Sequence, residues 1–186
     1  DMCDTYGFSL RNLANGGVLS KDRPFEAVTF VDNHDFRGDG SDEIINDKMM
    51  AYAYILTHEG YPCVFWKDWS TYGLAEPGQS SGIERLTKVH ESRAGGGTNV
   101  LYVDDVFYVM ERTGFGDQPG LVFTLNNMGE TVSQRVRTVF PNKMLKPLAW
   151  RGRYSSTSPA TVTTDGNGWC QVEAPPRGYV VYGPES

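Results

Sequence analysis

The chain has 186 residues, a net charge of −6, 39% hydrophobic and 22% charged residues. That length allows one domain or two small ones, and the composition supports a packed core rather than disorder. It carries no basic stripe of the kind a nucleic-acid partner needs, and no apolar run approaches the roughly 18 residues of a membrane-spanning helix, so neither partner is expected.

In chain order, residues 4–15 carry Tyr6, Leu10 and Leu13 at helical spacing before Gly16-Gly17, which predicts a short helix ended by glycine. Residues 26–32 form a near-continuous apolar run, the pattern of a parallel strand covered on both faces. Gly38 to Gly40 predict a loop, with Ser41 or Asp42 capping a helix that presents Ile45, Met49, Tyr52 and Leu56 on one face and stops at Gly60. Residues 61–66 read as a second buried strand, with Pro62 tolerated at its start and Cys63 a buried thiol. A loop rich in Trp, Tyr, Gly and Pro covers residues 67–80. Ser81 and Glu84 then form a capping-box pattern before the apolar face of Ile83, Leu86 and Val89.

Two βα units around a parallel pair follow from this order. After about residue 99 the pattern changes. Short β-prone runs at 100–103, 106–111, 121–126, 132–139, 161–164, 169–172 and 179–182 are separated by turn signals such as Asn126-Asn127, Asp165-Gly166 and Pro175-Pro176. That is the grammar of an antiparallel sandwich. The expected fold class is therefore α+β or α/β, with residues 1–99 holding the parallel βα units and residues 100–186 an antiparallel β-sandwich domain. Three cysteines, Cys3, Cys63 and Cys170, cannot all pair within one chain and leave the redox compartment open. No signal peptide is visible, and the chain starts at Asp1.

The string Phe30-Val31-Asp32-Asn33-His34-Asp35 places carboxylates, an amide and an imidazole at the end of a predicted strand, where α/β proteins build their sites. It resembles the last signature motif of the alpha-amylase family of glycoside hydrolases, Phe-x-x-Asn-His-Asp. The order of elements resembles the C-terminal part of such a protein along essentially all 186 residues. Residues 26–35 are similar to the seventh strand of an eight-stranded (β/α) barrel and residues 61–69 to the eighth. Residues 82–93 resemble the closing helix, and Ala94-Gly95-Gly96-Gly97-Thr98-Asn99-Val100 the entry to a Greek-key β domain. The resemblance implies a partial barrel segment, α-1,4-glucans such as starch or maltooligosaccharides as substrates, and action outside the cell.

Within that resemblance, Asp35 matches the carboxylate that steadies an oxocarbenium-like transition state, because a fixed negative charge opposes positive charge building on the sugar ring. His34 matches the imidazole that hydrogen-bonds the sugar, and Asn33 orients its neighbours. A retaining glycosidase uses two further carboxyl groups about 5–5.5 Å apart. The family carries them after earlier strands that these residues do not match, and Arg37-Gly38-Asp39 follows the wrong strand to replace them. The calcium site usual in the family also draws on earlier loops, so no cofactor or metal is expected here. Strand edges left by two βα units need cover, which implies a homodimer or a missing barrel half as partner.

Asp68 follows the second strand between Trp66 and Trp69. Aromatic faces beside a carboxylate suit sugar rings, so these three join Asn33 as substrate-binding candidates; the bland reading is an aromatic plug in a loop. Asp32 reads as structural, and Asp39, Asp42 and Glu43 as loop and cap residues. Lys67 is the nearest match to the chloride-holding residue of some family members and reads better as a loop lysine. His58 and His90 read as surface or satisfied histidines, and Trp150 and Trp169 as core or rim of the β domain rather than a second sugar site. A non-catalytic carbohydrate-binding module is the alternative to an enzyme.

Overall fold

The computed structural model describes residues 2–5, 7–14, 19–35, 44–154 and 157–185. Tyr6, Gly16, Gly17, the loop of Arg37 to Asp39 and Gly40, and the expected caps Ser41, Asp42 and Glu43 lie outside the described residues. Two short helices, α1 (Arg11–Ala14) and α2 (Leu19–Asp22), precede a single 3-10 turn at Pro24–Glu26. The 4–15 helix is thus confined, where described, to its last residues.

Strand β1 (Val28–Phe30) pairs in parallel with β2 (Tyr61–Cys63), in the register Val28↔Tyr61, Thr29↔Pro62 and Phe30↔Cys63. Helix α3 (Lys48–Thr57) connects them and packs on β1. Gly60 makes the return possible: its φ is +108°, and an added Cβ would lie 3.1 Å from Thr29 Cγ2 and 3.3 Å from the Ala27 carbonyl oxygen. Both strands are shorter than their apolar runs predict. They are also covered on one face only: Val28, Phe30, Tyr61 and Cys63 share the other face, and all four are exposed. The expected two-sided burial and the buried Cys63 thiol are therefore corrected. Alternation in a strand puts every second residue on one face, and among the described residues only the helical side of this pair has a packed layer.

Helix α3 starts later than its apolar spacing predicts. Ile45 stands 71% exposed outside it, and the residue before the helix is Asp47, in a left-handed conformation with no capping bond. The approach is held instead by Asp4, whose Oδ1 accepts the backbone N–H groups of Ile45 (3.1 Å) and Asn46 (2.6 Å). Helix α4 (Ile83–Arg93) buries Ile83, Leu86 and Val89 as its pattern predicts. Its cap is Gly82, without a side-chain bond, so the Ser81–Glu84 capping box does not form. Ser81 instead donates to Glu76, which also pairs with Arg151 at 2.6 Å. Gly82 is required there because a Cβ would meet the Ala75 carbonyl oxygen at 2.2 Å.

The rest of the described chain is mostly antiparallel sheet. Strands β3 (Thr98–Val103), β4 (Phe107–Arg112), β5 (Leu121–Asn126), β10 (Gly178–Pro184), β7 (Met144–Arg151) and β8 (Val162–Thr163) lie in that order in one six-stranded sheet. β6 (Val132–Arg137) and β9 (Trp169–Ala174) pair as a separate two-stranded ribbon. Strand β7 was not predicted, because Lys143, Lys146 and Pro147 break its pattern. The strand also carries an irregularity: Val181 pairs with Ala149 and Tyr182 with Pro147, so Leu148 is left without a register partner beside the proline.

Period-two alternation builds two cores from one sheet. Tyr108, Met110, Phe123, Leu125, Tyr179 and Val181 face α3 and α4 and join Tyr52, Leu56, Ile83 and Leu86. Phe107, Val109, Val122, Val180 and Tyr182 face the ribbon and meet Val136, Cys170 and Val172. Strands β4, β5 and β10 are consequently buried at every position. Helices on one face and the ribbon on the other give this β region a sandwich-like build.

His58 closes α3 inside the first core. Its Nδ1 lies 2.7 Å from the Tyr54 carbonyl oxygen, which requires a proton on Nδ1, so Nε2 accepts from the Tyr108 hydroxyl at 3.0 Å. Burial pushes this imidazole down to about 3, with Arg112 adding to the effect and the Tyr54 carbonyl opposing it. His90 hydrogen-bonds the Leu56 carbonyl oxygen at 3.1 Å, so both histidines are satisfied within the fold.

Candidate functional site

Because β1 and β2 run parallel, the residues that follow them leave the sheet at the same edge. Asn33, His34 and Asp35 emerge from one strand and Trp66, Asp68 and Trp69 from the next. Asn33 Oδ1 accepts the Asp35 backbone N–H at 2.8 Å, a local turn that asparagine makes readily. His34 Nε2 lies 3.4 Å from Asp35 Oδ1, and both side chains stand in solvent. Trp66 is 70% exposed, while Trp69 packs partly against the first core. Trp66 precedes and Trp69 occupies a π-helical turn, Lys67–Thr71, at the start of the expected loop, and residues 64–66, expected to extend the strand, lie outside β2.

Asp68 sits on that turn with its side chain turned inward, and it is fully buried. Asp32 is 4% exposed, below the Asn33–Asp35 turn. Between them rises Lys48 from the first turn of α3. Its Nζ bonds Asp32 Oδ2 and lies 2.9 Å from Asp68 Oδ1. Tyr52, one helical turn on, donates its hydroxyl to Asp68 Oδ2 and accepts the Phe65 backbone N–H at 3.4 Å. Burial works against the Lys48 ammonium, but the hydrogen bonds it donates to Asp32 and Asp68 outweigh that and hold the group above its ordinary value. Burial, reinforced by Asp68, likewise pushes the Tyr52 phenol up, so it remains a donor. The Tyr72 ring covers Lys48, its centroid 5.2 Å from Nζ.

The site therefore has two levels: an exposed imidazole, carboxylate and indole above, and a buried ion cluster below. The upper groups can hydrogen-bond a polyol and oppose positive charge; the lower ones are already engaged with one another. Lys48 and Tyr52 were missed in the sequence. Their signal was available: a lysine and a tyrosine at i and i+4 share one face of an otherwise apolar helix. Lys67 is exposed, as a loop lysine would be. Trp150 packs partly against the second core, and Trp169 lies on the outer face of the ribbon, 4.9 Å beneath the Arg135 guanidinium. Among the described residues no group of three or more His, Cys, Asp or Glu is placed to hold a metal ion. No helix among them is long and apolar enough to cross a membrane.

Comparison with known proteins adds three findings. Residues 121–183 match the family model described as the alpha-amylase C-terminal domain. An alpha-amylase from Geobacillus stearothermophilus is 39% identical over 61% of this chain, and one from Bacillus licheniformis 41% identical over 48%. These matches span 21% and 19% of the two relatives' lengths. Among solved structures, the cyclomaltodextrin glucanotransferase CldA superposes with a TM-score of 0.68 at 22% identity, covering 97% of this chain and 41% of that one. The alpha-amylase of Geobacillus thermoleovorans, solved with acarbose, gives 0.58 at 18% identity over 86% of this chain and 39% of its own. Residues 121–183 thus match an alpha-amylase C-terminal domain, and the relatives and solved structures together support a C-terminal part of an alpha-amylase family protein.

Proposed function

We propose that the chain forms one wall of a glycoside hydrolase site acting on α-1,4-glucans such as starch and maltooligosaccharides. The observation that supports this reading is the parallel pairing of β1 and β2, after which His34 and Asp35 follow one strand and the exposed Trp66 the other. Asp35 steadies the positive charge of the transition state, His34 grips the sugar, and Asn33 holds the turn. Trp66 and Trp69 pack on pyranose faces, and Asp68 serves the site from below through Lys48. Residues 1–99 are read as a partial (β/α) barrel segment and residues 100–186 as the C-terminal β domain.

The nucleophile and the acid/base come, in this reading, from polypeptide outside these 186 residues, either the other part of a barrel or a second copy. The exposed row of Val28, Phe30, Tyr61 and Cys63 supports such a neighbour, since apolar strand faces are normally covered. Action outside the cell is part of the same proposal, and no metal or cofactor is assigned to the described residues. The second reading is a glucan-binding module without chemistry, favoured by the exposure of both Asp35 and His34 in this chain.

Reducing-sugar release from soluble starch, measured on the 186-residue chain and on Asp35→Asn, separates these readings. Hydrolysis lost in Asp35→Asn supports the enzyme; hydrolysis unchanged in that variant removes Asp35 from the mechanism. Calorimetric binding of maltoheptaose without turnover rejects a second copy as the source of the nucleophile and leaves the binding module or a wall completed by further polypeptide; no binding at all rejects the binding module.

A further inference from the structure

We propose that Lys48 is the positioning residue of this site: it ties the loop start at Asp32 to the loop start at Asp68, and so sets the Asn33–His34–Asp35 turn against the Trp66–Trp69 turn. The sugar-site part of this inference rests on the function proposed above; the mechanical part does not.

Among the described residues, strand pairing does not reach the two turns. β1 and β2 share three register pairs, the last being Phe30↔Cys63, so pairing ends before either turn begins. Beyond that point Asp32 continues from one strand and Asp68 belongs to the helical turn after the other. Both carboxylates are buried, and Lys48 reaches both. A lysine ammonium has three donors, enough to serve two carboxylates at once. Tyr52 fixes the second carboxylate from the same helix face and also receives the Phe65 N–H, so α3 holds the approach to Trp66 at two points. Asp32 lies two and three residues before His34 and Asp35. A shift of its backbone moves both groups, and small misplacements of positioned groups are expensive in catalysis and binding.

The ion cluster is also poorly justified as a simple stabiliser. Desolvating buried charges offsets most of their mutual attraction, so well-packed apolar replacements often do as well. Specific placement of the two turns is what an apolar replacement would not reproduce.

Amide hydrogen exchange on the full 186-residue chain tests the tie. The reporters are the hydrogen-bonded amides of Asp35 on one turn and Trp69 and Tyr72 on the other. Lys48→Met is expected to speed exchange about tenfold or more at both turns while β4, β5 and β10 keep their protection, and Lys48→Arg restores both. Asp32→Asn, which removes one of the two carboxylates paired with Lys48, is expected to speed Trp69 and Tyr72 on the other turn as well. Should Lys48→Met fail to fold, the neutralised variant Asp32→Asn/Lys48→Met/Asp68→Asn leaves none of the three charges behind and is expected to loosen both turns. Protection unchanged at both turns, or lost equally across the whole chain, overturns the proposal. In calorimetry with maltoheptaose, Lys48→Met is expected to weaken binding about tenfold; unchanged affinity overturns the link to the site. If the wild-type chain binds no maltoheptaose, the sugar reading fails, and the exchange pattern still decides whether Lys48 ties the turns.

Discussion

Strands β4, β5 and β10 and the pair β1–β2 are built from similar apolar residues and meet opposite environments. Phe123 in β5 is fully buried, whereas Phe30 in β1 is 50% exposed. The difference lies in the neighbours. β5 has α3 and α4 against one face and the β6–β9 ribbon against the other, while among the described residues β1 and β2 have a helix layer on one side only. The comparison teaches that an apolar run predicts a strand that wants cover, not one that has it. In this chain β4, β5 and β10 are covered by α3 and α4 on one face and by the ribbon on the other, whereas the described residues leave one face of the β1–β2 pair open.

The largest expected effect comes from the covered region. Phe123→Ala is expected to cost about 3–5 kcal/mol in denaturant unfolding, because both transfer energy and a cavity are lost. A loss below 1 kcal/mol would mean that this face is less well packed than its contacts with His58 and Tyr108 imply.

The joint between the regions comes next. Asp47, just before α3, accepts from Arg153 at 2.8 Å and from the buried Arg177 at 2.8 Å, and Arg177 also reaches Asn127 Oδ1 (2.5 Å) and the Cys3 carbonyl oxygen. Asp47→Ala takes this carboxylate from a buried guanidinium and is expected to cost about 3 kcal/mol. Equal loss in near- and far-UV circular dichroism transitions would show that the two regions unfold together; separate transitions would show that they do not.

His58 gives a pH-dependent version of the same joint. Its ordinary value is 6.5 and burial brings it to about 3, so the folded chain resists the proton that the unfolded chain accepts. Its stabilising contribution is full above pH 6.5 and falls by about 1.4 kcal/mol per pH unit between 6.5 and 3. Urea midpoints at pH 7 and pH 5 measure this, and His58→Gln is expected to flatten the dependence over that interval.

The smallest effect is expected at the open face. Phe30→Ala is predicted to change stability by no more than about 0.5 kcal/mol, as exposed positions usually do. A cost of several kcal/mol that grows with protein concentration would show that a second copy covers this face, and would turn the comparison into one between two buried regions.

Much of the β domain was legible because each strand carries period-two apolar residues between turn signals. Strand β7 was not, since Lys146 and Pro147 interrupt its apolar pattern and the strand carries an extra residue, Leu148, opposite the Val181–Tyr182 step of β10. Gly82 rather than Ser81 caps α4 because Ser81 is drawn to Glu76, a partner brought in by the fold. Asp35, His34 and Asn33 could be named from the Asn-His-Asp string alone. The inward turn of Asp68 could not, because the direction of its side chain depends on a π-helical turn and on Lys48, 20 residues earlier.

By itself the sequence determined the alternation of apolar residues, the change from helix-and-strand units to short antiparallel strands, and the cluster of polar groups at one strand end. These are local properties, set by backbone periodicity and residue chemistry. Only the tertiary structure decided which apolar faces meet and that Asp32 and Asp68 share one lysine. It alone decided that Val28, Phe30, Tyr61 and Cys63 look outward. Contacts of that kind join residues far apart in the chain, and burial depends on what lies across the gap rather than on the residue that faces it.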